Sequence, residues 1–344
     1  LSRIHKALDD LNYVYREGIL GEIHELESYI IRLNGYADAI EEILTCSDKD
    51  KVFWLDYLTG GRGREKVILH GSPIEVGDLM REYLFSRIDS VVLTSATLSA
   101  GGNFDFIKSR IGLDKISEKD VFEKILTSHF NFPEQAVLCI PKTISDPSST
   151  ESFEEDFCRY AREILNVTRG ATFFLCTSFG QINKLKQFFQ NQDTLIELNI
   201  IAQGDMERSE LLKRFKMLPN SVLLGTDSFW EGVDVPGDDL KCVVIVKLPF
   251  KSPSDPVYQA RAEKLTEKGY NAFYSYSVPL SAIKFKQGFG RLIRSSYDEG
   301  VVVCLDKRIA TKNYGRYFIQ SLPEIPIVYG EEDEIIHSIS KFFR

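Results

Sequence analysis

From about residue 130 the chain settles into one rhythm, and that rhythm restricts the folds open to it more than any other feature. Short apolar segments at Val137–Ile140, Ala171–Cys176, Leu198–Ala202, Ser221–Gly225, Cys242–Leu248 and Val301–Leu305 are read as strands. Helical stretches at Phe153–Leu165, Gln181–Gln190, Glu207–Lys216 and Pro256–Lys268 fall between most of them. The apolar segments scarcely alternate, as strands covered on both faces do not. Strand, helix and strand in repeated succession predict an α/β fold with a doubly wound parallel sheet. Such a sheet presents its chemistry at the carboxyl ends of its strands. The run SDPSSTES at residues 145–152 reads as a loop, and there is no internal repeat.

The stretch before this rhythm has a different texture. Residues 2–45 carry apolar positions at helical spacing, among them Ile4, Leu8, Leu11, Val14, Ile23, Leu26, Ile30 and Ile40, and predict two or three amphipathic helices. Val52–Tyr57 and Lys66–Leu69 read as strands joined by the Gly- and Arg-rich turn Gly60–Arg64. Ile74–Leu84 reads as a helix with Pro73 near its start, and Ser90–Thr94 as an apolar strand running into Ser95-Ala96-Thr97. A chain of 344 residues has room for two domains, or for one with a substantial appendage. It opens on Leu1 rather than Met, and is expected to continue a longer protein.

Charge narrows the function classes. The net charge of −8 argues against a protein that grips nucleic acid by bulk charge. The distribution is uneven: residues 1–50 hold eleven acids against five bases, and residues 241–294 hold ten bases against three acids. Tyr258, Tyr270, Phe273, Tyr274, Tyr276, Phe285 and Phe289 interleave with those bases. Such a zone can hold a phosphate backbone, and it also reads as a solvated helix face. The six cysteines form no CxxC pair, and four lie in short apolar runs. That pattern suits buried, reduced thiols in a cytoplasmic protein and predicts no metal site. No apolar run is long enough to cross a bilayer, so no membrane partner is expected.

Polar residues gather just past the strand ends: Thr177 and Ser178 after one, Gln203 and Gly204 after the next, Thr226 and Asp227 after the third. Their hydroxyls and backbone amides suit phosphate oxygens of a nucleic-acid strand, although any single one reads equally as a helix cap. In Gln287–Arg294 (QGFGRLIR), Gln287, Arg291 and Arg294 are spaced by four and three, so a helix would project them from one side. Gly288 and Gly290 each cost roughly 1 kcal/mol in a helix interior relative to Ala, which predicts a close approach to the backbone. Two fixed guanidinium groups suit the charge on a transferring phosphoryl group, and two surface arginines beside a loop are the plainer alternative.

These segments carry a family resemblance. SATL (Ser95–Leu98), FFLCTS (Phe173–Ser178), GTDSFWEGVDVPG (Gly225–Gly237) and QGFGRLIR resemble, in order and spacing, motifs III to VI of superfamily 2 helicases. WEGVD and the R-x-I-R ending are similar to the XPD/DinG branch, and HGSPIEVGDLMREYLF (His70–Phe85) followed by SVVLTSATLS points to its DinG-type members. The resemblance spans about residues 67–310. It implies a RecA-like sheet domain at 129–344, preceded by the C-terminal part of a first RecA-like domain at 51–128 and a helical arch remnant at 1–50. It implies that Arg294 is an arginine finger for ATP, with Arg291 and Gln287 in support, and that Glu231, Gly232 and Asp234 face the nucleotide. Ser178 and Thr226 would hold single-stranded DNA, with Thr177, Gln203 and Lys251 beside them. Ser95, Ala96 and Thr97 would couple nucleotide state to DNA grip.

The chain contains no GxxxxGK[ST] phosphate loop, and its one DExxH-like string, Asp333–His337, lies in an acidic tail after all the other motifs. The resemblance therefore places the phosphate loop and most ligands of ATP and Mg²⁺ in an N-terminal portion of the same protein, before residue 1. An iron–sulfur cluster is left open, with its ligands outside this chain, as is an N-terminal 3′→5′ exonuclease domain. The expected function is that of the C-terminal motor region of an ATP-dependent helicase moving on single-stranded DNA, in the 5′→3′ sense, and inactive as this fragment alone. The alternatives are a single-strand-binding module of a nuclease or remodelling protein without productive ATP turnover, and an α/β enzyme acting on a phosphorylated metabolite.

Overall fold

A computed structural model of the protein describes residues 6, 20–60, 64–117, 120–190, 197–230 and 239–343. They divide into two compact units, one of residues 1–76 with 252–264, the other of residues 77–251 with 265–344.

The first unit holds a 26-residue helix, α1 (Leu20–Thr45), and an antiparallel hairpin of β1 (Lys51–Gly60) and β2 (Arg64–Pro73). The described part of the helical expectation is this one helix; Ile4, Leu8, Leu11 and Val14 lie outside the described residues, as do 61–63 of the expected Gly60–Arg64 turn. Both strands run longer than the sequence predicts, because the ladder pairs Lys51 with Pro73 through to Gly60 with Arg64. Near the open end, a methyl group at Gly71 would lie 3.0 Å from the Phe53 ring and 3.8 Å from Ile43 of α1, so this end of the hairpin packs on the helix. Residues 252–264 are tied to the same unit, Arg261 Nε donating to the Ile74 carbonyl at 2.7 Å and Lys264 pairing with Asp50 at 2.7 Å.

The second unit is built on a seven-stranded sheet in the order β5-β6-β4-β7-β8-β3-β9, with every neighbouring pair parallel. The strands are β3 (Ala136–Pro141), β4 (Thr172–Leu175), β5 (Asn199–Ala202), β6 (Ser221–Gly225), β7 (Cys242–Ile245), β8 (Gly300–Cys304) and β9 (Ile327–Gly330). Successive strand residues point to opposite faces, so each strand feeds two cores. On one face Leu138, Phe173, Leu175, Val243, Ile245 and Val302 meet helices that include Arg208–Met217, Val278–Phe289 and Gly315–Ser321. On the other, Val137, Phe174, Val222, Val244, Val301 and Val303 meet Thr150–Thr168, Phe179–Gln190 and Glu332–Ser340. The doubly wound α/β sheet expected from the strand–helix rhythm is thus present.

In chain order the helices of this unit are α2 (Gly77–Met80, continued by a π-helical turn at Arg81–Phe85), α3 (Asp105–Ile111), α4 (Phe132–Gln135), α5 (Thr150–Thr168), α6 (Phe179–Gln190), α7 (Arg208–Met217), α8 (Asp227–Trp230), α9 (Pro256–Glu267, shared between the units), α10 (Val278–Phe289, entered by a π-helical turn at Phe273–Ser277), α11 (Arg308–Thr311), α12 (Gly315–Ser321) and α13 (Glu332–Ser340). α5 shows why such segments fold as they do: Phe153, Phe157, Tyr160, Ala161, Ile164 and Leu165 form one buried stripe. Each large side chain there contributes about 1.5–3 kcal/mol by leaving water. Arg169 and Gly170 adopt positive φ to end the helix, and a methyl group at Gly170 would fall 2.4 Å from Asn220 Cα.

Two sequence expectations are corrected, and one strand is added. Ser90–Thr94 is not a strand: no described strand offers it a ladder, and Val92 and Leu93 are exposed. A strand needs neighbours for its N–H and C=O groups, and apolar character alone does not supply them. Ile74–Leu84 is helical only from Gly77, because Ile74 closes the hairpin through its N–H to the Asp50 carbonyl at 2.9 Å. β9 escapes the sequence pattern because it is an edge strand in which Ile327 and Tyr329 stay exposed. The DExxH-like string lies in α13, where Glu334 closes a capping box with Glu331 and Ile335 and Ile339 enter the core.

Candidate functional site

The carboxyl ends of β5, β6 and β4 lie side by side, since Ala202 pairs with Leu224 and Leu175 with Gly225. Two threonines leave this edge in the same way. Thr226 donates its N–H (2.7 Å) and its hydroxyl (3.0 Å) to Gln203 Oε1, and Thr177 donates its N–H (2.8 Å) and its hydroxyl (3.3 Å) to Gln181 Oε1. Ser178 Oγ accepts the Gln181 N–H at 3.3 Å and so caps α6. The structure therefore brings Thr177, Ser178, Gln203 and Thr226 to one edge. Thr226 is buried and Ser178 exposed. Gln181, expected only as a helix residue, joins the row as the acceptor for Thr177; its signal is a polar residue in the first turn of the helix that follows a strand-end Thr-Ser. Lys251 is exposed beyond the end of β7, which neighbours β4 in the sheet.

QGFGRLIR is not one helix. α10 ends at Phe289, so Gln287 sits in its last turn while Arg291 and Arg294 lie in the following turn. Two features end the helix. Leu292 and Ile293 are both drawn into the core, and the N–H groups of Arg294 and Ser295 go to Asp298 Oδ2 at 2.8 and 2.9 Å instead of back along a helix. The three residues are nevertheless gathered: Arg291 Nε donates to the Gln287 carbonyl at 3.2 Å, and Arg294 Nε to the Arg291 carbonyl at 3.4 Å.

The close approach predicted from the glycines is real at one of them, and it is internal. A methyl group at Gly288 would lie 2.9 Å from Trp230 Cε3 and 3.0 Å from Leu175 Cδ1. Trp230 is buried there and donates its indole N–H to the Cys176 carbonyl at 3.3 Å. At Gly290 the nearest atoms are carbonyls of its own helix at 3.4 and 3.6 Å, so no approach requires that glycine. Glu231, Gly232 and Asp234 lie outside the described residues.

Ser95 and Thr97 share a hydrogen bond at 3.0 Å, and the Thr97 N–H donates to Ser95 Oγ at 3.1 Å, forming an exposed turn that includes Ala96. Just beyond it the segment reaches α10, where Lys286 Nζ lies 3.4 Å from Ser99 Oγ, one residue before Gln287. Burial pulls the Lys286 ammonium below the usual lysine range. Burial also lowers Arg294, against the opposing charge of Asp298. Burial alone would raise Asp298, yet the Ser295 hydroxyl, the Arg294 and Ser295 N–H groups and the Arg294 charge hold it below the usual carboxylate range. Five cysteines are buried and Cys46 is exposed; burial pushes the thiols of Cys139 and Cys158 up to about 12. Among the described residues no group of three or more His, Cys, Asp or Glu is arranged to hold a metal ion.

A family model described as a helicase C-terminal domain matches residues 161–325, which hold the strand-end row and the arginine turn. The 3′-5′ exonuclease DinG of Bacillus subtilis is 36% identical over 310 residues, covering 88% of this chain and 32% of that protein. The ATP-dependent DNA helicase YoaA of Haemophilus influenzae is 34% identical over 320 residues, covering 93% of this chain and 48% of that protein. The chain belongs to the DinG-type helicases of superfamily 2. This DinG-type chain spans less than half the length of either relative. Among solved structures it is similar to Xpd4 of S. tokodaii, with a TM-score of 0.52 at 17% identity over 76% of this chain and 49% of that one, which makes its fold RecA-like. Among the described residues, no helix of the DinG-type chain is long and apolar enough to cross a membrane.

Proposed function

We propose that this chain is one wall of an ATP-driven DNA motor. In this reading residues 129–344 form the second RecA-like domain, residues 51–128 the C-terminal part of the first, and residues 1–50 an arch-like segment. Residues 77–128 cluster with the sheet, so that division rests on motif order rather than on compactness. ATP sits between the two RecA-like domains, with its phosphate loop and Mg²⁺ ligands on an N-terminal portion of the same protein. The magnesium ion supplies charge neutralisation on the phosphates. The chain's own contribution is Arg294, aimed at the γ-phosphate, with Arg291 and Gln287 behind it and Glu231, Gly232 and Asp234 facing the nucleotide. Guanidinium groups held in place before the reaction stabilise the charge of the transferring phosphoryl group without reorganising.

Single-stranded DNA runs along the strand-end row, where the exposed Ser178 meets its phosphates, Thr177 and the Gln203-held Thr226 shape the edge beneath it, and Lys251 adds charge. Ser95, Ala96 and Thr97 relay cleft closure to that row through the Ser99–Lys286 contact, and the strand is tracked 5′→3′. The carrying observation is the turn at 290–298, which gathers Gln287, Arg291 and Arg294 and clamps the backbone of the last on a buried carboxylate. In the full-length protein, Arg294→Ala is expected to lower DNA-stimulated ATP hydrolysis by about 10³-fold or more while ATP still binds. Unchanged turnover would sink the assignment. Without the N-terminal portion, this chain is expected to bind single strands and turn over no ATP, and the alternative of a pure binding module predicts the same silence from the full-length protein.

A further inference from the structure

The turn that carries Arg294 is held more firmly than a surface loop requires. Asp298 is 8% exposed, and its carboxylate accepts three hydrogen bonds: the N–H of Arg294 at 2.8 Å, the N–H of Ser295 at 2.9 Å and the Ser295 hydroxyl at 2.8 Å. From the other side Gln135, at the end of α4, donates through Nε2 to the Ser295 carbonyl at 3.1 Å and to the Asp298 carbonyl at 2.8 Å. The Gln135 amide nitrogen thus bridges the Ser295 and Asp298 carbonyls of the turn. Leu292 and Ile293, buried immediately before, pin the turn from below. An ordinary turn needs one neutral cap; an ionised carboxylate is costly to bury unless its partners are all in place. Here two of the three partners are main-chain groups of the arginine and its neighbour.

We propose that Asp298, braced by Gln135, is a positioning residue for Arg294, fixing the backbone of the turn so that the guanidinium is delivered to the γ-phosphate in a single orientation. The inference rests on the role proposed above for Arg294 and deepens it. Catalysis by a fixed cation depends on placement to within a fraction of an ångström, and a clamp on the main chain of the arginine is the shortest route to that precision. The sequence carried a trace of the clamp, because Ser295-x-x-Asp298 has the spacing of a hydroxyl and an acid that cap one another's backbone.

The test is a mutant cycle in the full-length protein, reading kcat and KM for ATP, affinity for a single-stranded oligonucleotide, and thermal midpoint. Asp298→Ala is expected to lower kcat by about 10- to 100-fold with DNA affinity unchanged. Asp298→Asn should restore most of the rate, since its carboxamide oxygen still accepts the two N–H groups and its NH₂ can donate to Ser295 Oγ. In an Arg294→Ala background Asp298→Ala should cause no further loss, because both changes remove one effect. Losses that multiply, or an Asp298→Ala enzyme at the wild-type rate, overturn the proposal. Should Asp298→Ala fail to fold, Gln135→Leu carries the same expectation of a lowered kcat, and a normal kcat there overturns it. Arg294→Ala at the wild-type rate would remove the underlying reading; an inactive Arg294→Ala beside a fully active Asp298→Ala would remove this inference alone.

Discussion

Gly288 decides between two opposing residue-scale effects. Replacing a helical glycine by alanine ordinarily stabilises by about 0.5–1 kcal/mol, since the backbone loses less entropy on folding. Here the added methyl would press on the Trp230 ring and on Leu175, both buried, and overpacking of this kind costs about 1–3 kcal/mol. Gly288→Ala is therefore expected to lower the denaturation midpoint, and a stabilised variant would show that Trp230 can move aside. The glycine was legible in the sequence as a place of close approach, but its partner was not. Trp230 comes from a different helix, and no local pattern announces which side chain the fold will lay across the glycine. Gln203 and Thr226, 23 positions apart, were both picked out at strand ends, while the hydrogen bonds joining them depend on β5 and β6 lying side by side.

At the scale of elements, the strand-end row depends on glutamines that hold threonines. Gln203→Leu removes the acceptor for the Thr226 N–H and hydroxyl, and an unpaired buried donor costs about 1–3 kcal/mol. The variant should melt earlier and bind a labelled single-stranded oligonucleotide more weakly by fluorescence anisotropy; full affinity would remove Gln203 and Thr226 from the DNA path. Six strands of the sheet were legible because they are mostly apolar, five of them through burial on both faces and the edge strand β5 through Ile200, Ile201 and Ala202. The seventh, β9, was hidden by its half-exposed edge position, and Ser90–Thr94 looked like a strand because apolar composition does not reveal whether a ladder is available. The arginine segment departs from its spacing for a similar reason. Its spacing fits a helix, but Asp298 takes the N–H groups that would have continued one.

At the scale of the molecule, the sheet unit holds several carboxylates below their ordinary range. Burial pushes Asp156 upward, but the Ser145 hydroxyl, Arg159 and the Ser145 N–H outweigh it, and Asp298 is lowered by the turn it clamps. Asp146 is lowered chiefly by the N–H and hydroxyl of Ser148. A carboxylate with a lower pKa folded than unfolded stabilises fully above its unfolded value, near 4, and loses that contribution as pH falls through the folded value. Thermal midpoints followed by circular dichroism should accordingly hold from neutrality to about pH 4 and fall below it; a midpoint unchanged down to strong acid would contradict these assignments. The strand order has a consequence for synthesis. β3 is the first strand of the sheet to be made, yet it lies between β8 and β9, the last two. Roughly 160 residues separate β3 from β8, so at about 5–20 residues per second a ribosome takes roughly 10–30 s to deliver the first partner. Throughout that interval the hexapeptide Ala136–Pro141, every residue of it destined for the interior, is without the two strands that flank it in the sheet.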